Sequence, residues 1–467
     1  MSSAQPNQTE PAPENAAPSK RQLTLLDCLG IGVNGIVGSG IFLLPAALWR
    51  HAGGKAPIAW LLVGGLCCLV ALCFAEAAAR TDRSGGPYRY ACDAFGPSVG
   101  FIVGWVTLVS TLLGYSAVAR GFGIAAADLL SLKGNHVAET ALSCGVVTLL
   151  CAVNVLGVRR SARTSDVISA VKLLSLLIFV AVGLFFIQMK NLQAVPPPPP
   201  PLTPEDSDSR SLLNLFAGDA AVFRGGLLAA AFAGLFATTG FEYIPVPAGE
   251  AKNPRRTVPL AMVASVLATT LIYILVQVVA TGVHPDLGSS KTPLADAAFL
   301  FAGPRGKLLM NIAFVISSFG FCAGSALVGP RYLEAFAEDR FMPALFQKRH
   351  PRLGTPMWAV IALSLLVLIL LASGLPFEQL ADVSNVAVVM QYSATCIAVL
   401  VLRRRVPAGA DAFVIPGGPL VPLLALLGCA VFMLSVRLYE LKLALIFVVL
   451  GVVFGAAIRW LSRPKKT

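Results

Sequence analysis

Charged residues and histidines are scarce in this sequence. Only 13% of its 467 residues are Asp, Glu, Lys or Arg, and 56% are hydrophobic, whereas soluble domains carry about 25% charged residues. This balance excludes a soluble globular protein and indicates a polytopic protein of the lipid bilayer. The four histidines do not cluster and we find no nucleophile motif or phosphate-binding loop. We therefore expect no metal, no cofactor and no enzyme activity.

Acidic residues are fewer than basic residues, and the net charge is +12. A basic balance could indicate nucleic-acid binding, but the basic residues lie in short loops between apolar segments, so we expect no nucleic-acid partner. With both termini in the cytoplasm, the cytoplasmic segments carry about twice as many Lys and Arg as the outer ones. The positive-inside rule describes this bias, and we therefore predict cytoplasmic termini.

The sequence also lacks a secretory signal and a disulfide pattern. Residues 1–19 are rich in Ala, Pro, Ser and Asn without an apolar stretch, which predicts a disordered cytoplasmic tail rather than a signal peptide. The ten cysteines lie almost all in apolar segments and have no paired loop positions. We interpret them as small packing residues.

Long apolar segments are abundant, and a helix needs roughly 20 such residues to cross a bilayer. We predict an all-α polytopic membrane protein with about twelve transmembrane helices, at 25–48, 56–79, 97–130, 137–156, 165–189, 224–248, 257–282, 307–336, 356–373, 380–402, 418–436 and 440–461. After the fifth segment, six consecutive prolines at 196–201 are typical of a stiff polyproline II spacer; a partner ligand is the alternative.

The first apolar segment contains a glycine-rich interruption at its centre. Gly35, Gly38, Ser39 and Gly40 fall within six residues, and Pro45 follows. Because Gly and Pro are the poorest helix formers, we predict that the helix opens here. The freed amides and the positive end of the next half-helix would then form an anion site suited to a carboxylate. The alternative is a close helix-packing face.

The sixth segment repeats this anomaly. Thr239, Gly240 and Glu242 lie in mid-segment, and Pro245 follows. Two interrupted helices, first and sixth, are what two inverted five-helix repeats would produce, and such transporters bind substrate between the breaks. We divide the chain into a tail, a first repeat, a proline-rich outer loop, a second repeat, and two last helices with a C-terminal tail, at 1–19, 20–190, 191–223, 224–405 and 406–467.

Three motifs occur in order along the chain. They are Gly38-Ser39-Gly40-Ile41-Phe42 with Pro45; Glu76, then Ser84-Gly85-Gly86-Pro87-Tyr88-Arg89-Tyr90, Phe95-Gly96-Pro97 and Gly104-Trp105; and Gly240-Phe241-Glu242 followed by Glu250, Asn253-Pro254, Arg256 and Pro259. Over roughly residues 20–405, this set resembles the amino acid–polyamine–organocation (APC) family of secondary transporters. Val118-Ala119-Arg120 further resembles its cationic amino acid transporter branch.

The resemblance implies five-plus-five inverted repeats with two extra C-terminal helices and a substrate site between the breaks. A zwitterion needs donors at one end and acceptors at the other, and broken helices supply both. The implied carboxylate donors are amides around Ser39, Gly40 and Ile41, and the ammonium acceptors are carbonyls of Ile36, Phe236 and Thr239. Gly38, Ala237 and Gly240 complete the implied substrate-binding set. Phe236 matches the aromatic gate of the family; a lipid-facing or core phenylalanine is the alternative.

Lys172, in the fifth segment, would be a cation near the bilayer centre. Such a charge costs at least about 2.5–3.5 kcal/mol and therefore indicates a function. It resembles the lysine that sodium-independent family members carry in place of a sodium ion, which implies contact with carbonyls near Asn34 and Val37. Ser317 or Ser318 are further candidate contacts. Lys172 would either couple transport by losing and regaining a proton or be a permanently charged structural cation.

Other charged residues have less specific interpretations. Glu242 could relay a proton, pair with a cationic substrate or be held by amides of the opened backbone, and we favour a structural or gating role. We expect Arg120 near the outer end of its span, where it can snorkel or pair with Asp128. The simplest account of four cytoplasmic loop charges is a solvated surface: Arg83, Arg89, Lys252 and Arg255.

We predict a sodium-independent secondary transporter that moves L-amino acids, neutral ones first, by alternating access. Coupling could be proton symport or amino acid exchange. A cationic amino acid or polyamine transporter is the second hypothesis, and a membrane sensor without net transport is the alternative class. The expected partners are an amino acid, protons in the symport case, and the bilayer, without an obligatory protein subunit. A multi-pass bacterial inner-membrane location is expected.

Overall fold

The computed structural model describes residues 24–81, 86–157, 162–196, 226–245, 254–351, 353–406 and 413–461. Over these residues the chain is almost entirely α-helical. The predicted tail and all but the first proline of the polyproline run lie outside the described residues.

The helices before the proline-rich loop are α1 (Leu25–Ile36), α2 (Gly40–Ala52), α3 (Ala56–Arg80), α4 (Pro87–Phe95), α5 (Pro97–Leu129), α6 (His136–Val155), α7 (Ala162–Gly183) and the short α8 (Met189–Leu192). After it come α9 (Leu227–Thr238), α10 (Pro254–Val283), α11 (Pro293–Glu338), α12 (Met357–Ala372), α13 (Phe377–Arg405), α14 (Leu420–Met433) and α15 (Leu438–Leu461). α1 begins at a capping box, in which Thr24 Oγ1 accepts from Asp27 N while the Asp27 carboxylate accepts from Thr24 N.

These helices confirm the all-α polytopic membrane fold. In the described part of the chain, eight helical stretches are long and apolar enough to cross a membrane, and shorter apolar helices accompany them. A helix or helix pair lies on each predicted apolar segment. The count of twelve spans and the inverted repeat stay predictions.

Burial separates a central set of helices from the periphery. In the most apolar stretch of α5, 83% of the residues are buried, against 17% for α15. α5 packs against α4, α6, α11 and α13, while α10 packs against α1 and α3. The first interrupted helix also packs against α7 and α11, whereas most of the apolar stretch of α15 is not buried against other helices.

α11 starts earlier than the sequence predicts. The expected span began at residue 307, but the helix runs from Pro293 and bends at Gly303, where φ is 60°. Glycine adopts this positive φ without a Cβ clash, and Pro304 follows it as a helix starter. The kink and the charges beside it interrupt the apolar run, which explains why the predicted span omits the first part of the helix, before residue 307.

The described start of the proline-rich loop is docked on the protein. Asn191 Nδ2 and Gln188 N both donate to Gly282 O at 2.9 Å, at the end of α10. Gly54 N donates to Ala194 O at 3.0 Å. Residues 188–194 thus close over the α2–α3 connection rather than belonging to a free spacer.

A buried carboxylate in the last turns of α3 joins three segments of the chain. Glu76 on α3 is fully buried and accepts from Arg80 Nη2 at 2.9 Å and Arg403 Nη2 at 2.6 Å. It also accepts from Ile415 N at 3.0 Å, just before α14. α3, α13 and the approach to α14 therefore share one anion.

We expect Glu76→Gln to lower the free energy of unfolding by about 3–5 kcal/mol, because it leaves buried guanidinium groups without a counter-ion. Thermal denaturation of the detergent-purified protein measures this as a lower apparent Tm. Glu378→Gln is the control, since the Arg50–Glu378 pair is 3.7 Å apart with side chains 45% and 56% exposed, which is worth about 0–1 kcal/mol. Equal losses in the two variants would contradict the role of Glu76.

Candidate functional site

The two predicted breaks lie against each other. α1 ends at Ile36 and α2 begins at Gly40, while α9 ends at Thr238 and a single 3₁₀ turn covers Phe241–Tyr243. Both interruptions are buried. The structure therefore places the glycine-rich stretches of the first and sixth segments in one interior site.

Glycines make this approach possible. Gly240 has a φ of 113°, and a Cβ there would overlap the carbonyl of Gly35. A Cβ at Gly40 would lie 2.6 Å from Ala237 Cβ, and one at Gly38 would lie 3.2 Å from Phe321. The same residues thus open the backbone and form a close packing face, so the two interpretations of the first break are both correct in part.

Two of the three predicted carbonyl acceptors, those of Ile36 and Phe236, already accept hydrogen bonds inside the protein. Ile36 O accepts from Gly38 N at 3.0 Å and from Tyr273 OH at 3.3 Å. Phe236 O accepts from Thr239 Oγ1 at 2.8 Å. Since a carbonyl oxygen has two lone pairs, Phe236 O keeps capacity for a ligand, whereas Ile36 O must exchange a partner.

The predicted donors lie at the start of α2. The first amides of a helix have no acceptor within that helix, which applies here to Gly40 and Ile41. Ser39 precedes them, and its hydroxyl is fully buried with no hydrogen-bond partner in the described structure. It faces α5, where a Cβ at Gly121 would lie 2.7 Å from Ser39 Cβ. The sequence pointed to the amides here and missed this hydroxyl.

Lys172 reaches the first break from α7. Its side chain is fully buried, and Nζ donates to Asn34 Oδ1 at 2.7 Å, Val37 O at 2.8 Å and Asn34 O at 3.3 Å. Ser317 on α11 donates to Val37 O at 3.0 Å and to Gly38 O at 2.9 Å. Ser318 is buried nearby along α11, and its hydroxyl has no partner among the described residues. The ammonium and one serine therefore share the carbonyls freed by the break.

Glu242 is held by the second break itself. Its Oε2 accepts from Gly240 N at 2.8 Å and from Tyr392 OH at 3.4 Å, and the residue is 5% exposed. The carboxylate thereby satisfies an amide of the opened backbone, as one of its predicted interpretations requires. Tyr392 on α13 and Tyr273 on α10 are contacts that sequence reasoning missed, because a tyrosine within an apolar segment carries no local signal.

Phe236 packs inside the protein. It is 6% exposed, and its ring meets Phe377, the first residue of α13, edge-on at 5.4 Å. The alternative of a lipid-facing side chain is therefore wrong. The aromatic pair bridges α9 and α13 next to the breaks.

Arg120 neither snorkels nor pairs with Asp128, contrary to the prediction from the sequence. It is buried, with Nη1 donating to Thr140 Oγ1 and Nη2 to Leu371 O, both at 2.8 Å. The predicted partner Asp128 instead accepts from Asn311 Nδ2 at 2.6 Å. Because α5 continues to Leu129, eight residues separate Arg120 from Asp128, or about 12 Å along the helix. The guanidinium joins α5 and α6 to the last carbonyls of α12.

Arg89 is also buried, so its interpretation as a solvated loop charge is wrong. Its Nη1 donates to Asp339 Oδ2 at 2.6 Å and its Nη2 lies 3.2 Å from Glu338 Oε2. Tyr88 OH donates to the same Asp339 oxygen, and burial together with this bond holds the pKa of the phenol above its ordinary value. α4 is thereby fixed to the end of α11. The other three loop charges, at 83, 252 and 255, lie outside the described side chains.

Comparison with known proteins agrees with this architecture. The model of the amino acid permease family matches residues 23–457. The chain is 26% identical over 455 residues to the branched-chain amino acid permease BcaP of Bacillus subtilis (strain 168), covering 93% of this chain and 92% of that protein. It is 28% identical over 423 residues to the serine/threonine exchanger SteT of the same organism, covering 88% and 89%.

A relative whose name gives a different substrate class has a similar identity. The chain is 27% identical over 406 residues to the vacuolar cationic amino acid transporter 4 of Arabidopsis thaliana, covering 83% of this chain and 64% of that protein. Relatives with three different substrate names therefore stand at nearly the same distance.

We expect Gly240→Ala to lower stability by about 2–4 kcal/mol, since it adds both a positive-φ strain and an overlap with the Gly35 carbonyl. Gly226→Ala is the matched control: Gly226 has a φ of 93° but nothing within 4 Å of its added Cβ. The loss of stability in Gly226→Ala measures the positive-φ strain alone, which is about 1–2 kcal/mol. The apparent Tm values of the two purified variants measure the difference, and equal values would argue against the contact between the breaks.

Proposed function

The chain belongs to the amino acid permease family, and on that premise we propose that it moves neutral L-amino acids across the membrane by sodium-independent alternating access. Membership makes it an amino acid transporter rather than an enzyme. The observation that carries the finer proposal is the contact between two opened helices, with a lysine ammonium on the freed carbonyls of the first.

The proposed substrate site consists mainly of backbone amides and backbone carbonyls. The carboxylate binds amides around Ser39, Gly40 and Ile41, with the unpartnered Ser39 hydroxyl as a further donor. The ammonium binds the carbonyls of Phe236 and Thr239, and that of Ile36 in place of one present donor. Gly38, Ala237 and Gly240 complete the proposed site, and their small size lets the two opened backbones approach each other.

The charged groups beside this site support a neutral substrate. Glu242 is engaged by Gly240 N and Tyr392, and Lys172 by Asn34 and Val37. A cationic substrate side chain would need an acid that is not already used in this way. The branched-chain permease and the serine/threonine exchanger among the relatives favour the same assignment.

Cationic amino acids or polyamines remain the second candidate, because the Arabidopsis relative is named as a cationic amino acid transporter. Polyamines fit less well, since they lack the carboxylate that the α2 amides would bind. A sensor that binds an amino acid without moving it is the alternative class.

In the proposed cycle, Lys172 occupies the place of a coupling cation, and Phe236 and Glu242 gate the site. The ammonium either exchanges a proton during transport or stays charged as a structural cation. The bias of basic residues supports cytoplasmic termini in a bacterial inner membrane. Two five-helix repeats, at 20–190 and 224–405, would rock against each other around the breaks.

Uptake into proteoliposomes tests the substrate assignment. We expect saturable uptake of labelled L-leucine or L-serine in sodium-free buffer, with L-lysine a weaker substrate, because Glu242, the acid at the second break, already accepts from Gly240 N and Tyr392 OH. Comparison of vesicles with an inward proton gradient and vesicles preloaded with amino acid separates symport from exchange. Preference for L-lysine would favour the cationic alternative, and binding without flux would favour the sensor.

We expect Lys172→Ala to reduce uptake at least about tenfold, since it leaves buried carbonyls of the first break without their charged donor. Lys133→Ala is the control, because the Lys133 side chain is 44% exposed and lies 3.9 Å from Asp296, whose side chain is 26% exposed. Uptake rates at equal reconstituted protein measure both. Unchanged transport by Lys172→Ala, or sodium-stimulated uptake by the wild type, would contradict the proposal that Lys172 replaces sodium.

A further inference from the structure

The Asn34 side chain joins three helices at the first break. It lies in the last turn of α1 and is 8% exposed. Its Oδ1 accepts from Lys172 Nζ of α7 at 2.7 Å, and its Nδ2 donates to Gly320 O of α11 at 3.3 Å. These partners fix the orientation of the amide, because the acceptor end must face the ammonium and the donor end the carbonyl.

Gly320 leaves the space that this arrangement occupies. A Cβ at residue 320 would lie 2.7 Å from Asn34 Oδ1 and 2.9 Å from Lys172 Nζ. Both separations are too short for a real contact, so any larger residue would push the amide away from the ammonium. The glycine at position 320 of α11 is therefore required for the contact between Asn34 and Lys172.

An amide is the side chain that suits both partners. A carboxylate at this position would keep an acceptor for Lys172 but lose the donor to Gly320 O. An apolar side chain of similar size would lose both hydrogen bonds. The Asn34 Oδ1 contact is the shortest of the three from Lys172 Nζ described above, and hydrogen bonds to charged groups are the stronger ones.

We propose that Asn34 is a positioning residue that sets the Lys172 ammonium against the first break and ties it to α11. This inference rests on the proposed role of Lys172 in place of a coupling cation. Asn34 touches no substrate atom in the proposed binding mode. Its amide makes the position of the ammonium depend on how α1 and α11 sit relative to each other.

A double-mutant cycle with Lys172→Met tests this inference. We expect Asn34→Ala to lower the turnover of labelled L-leucine or L-serine uptake about tenfold, with KM changed less than about threefold, because a charged hydrogen bond is lost away from the substrate. In the Lys172→Met background, Asn34→Ala should lower the apparent Tm much less than in the wild type, since residues in contact are not additive. Asn191→Ala is the matched control: a buried asparagine that donates to a glycine carbonyl far from Lys172, and its effects should add.

The variant Asn34→Asp provides a second, independent test of the proposal. It keeps the acceptor for Lys172 but loses the donor to Gly320 O, so uptake should fall less than in Asn34→Ala. In the Lys172→Met background it leaves a buried carboxylate without a cation and should lower the apparent Tm more than in the wild type. Additive Tm effects, or unchanged turnover in Asn34→Ala, would overturn the proposal. Absence of uptake in the wild type would refute the proposed function instead, while the Tm cycle would still test the contact.

Discussion

A backbone group that loses its helix partner inside a membrane must find another one within the protein. This constraint accounts for most of the buried polar side chains around the two breaks. Carbonyls freed after α1 are met by Lys172 and Ser317, and Ile36 O is met by Tyr273. The amide freed after α9 is met by Glu242. Three surrounding helices, α7, α10 and α11, thus supply donors to the first break, while the second break supplies its own acceptor.

Much of this arrangement could be predicted from the sequence because its causes are local. Apolar length determines which segments can cross a bilayer, and clustered glycines mark where a helix opens. The lysine in an apolar segment stands out because an unpaired cation there is so costly. The family resemblance, not this cost, implied the contact with carbonyls near Asn34 and Val37, to which Lys172 Nζ donates.

Contacts between residues distant in sequence could not be predicted in this way. Arg120 was paired with an acid on its own helix, but its partners belong to α6 and α12. Arg89 has the local sequence of a surface charge, because the acid it pairs with lies 250 residues away, just after the end of α11. The side chain of Asn34 gave no signal either, since its importance depends on the gap at Gly320. Such partners follow from helix packing, which a single sequence does not encode locally.

The contact between Gly35 and Gly240 has an evolutionary consequence. Its two sides come from residues about two hundred positions apart, and backbone atoms rather than side chains meet there. No compensating substitution can restore such a contact, because a larger residue on one side cannot be offset by a smaller one than glycine on the other. The pair is therefore expected to persist together through divergence that freely replaces the side chains around it. Across descendants of this chain, these two positions would change last.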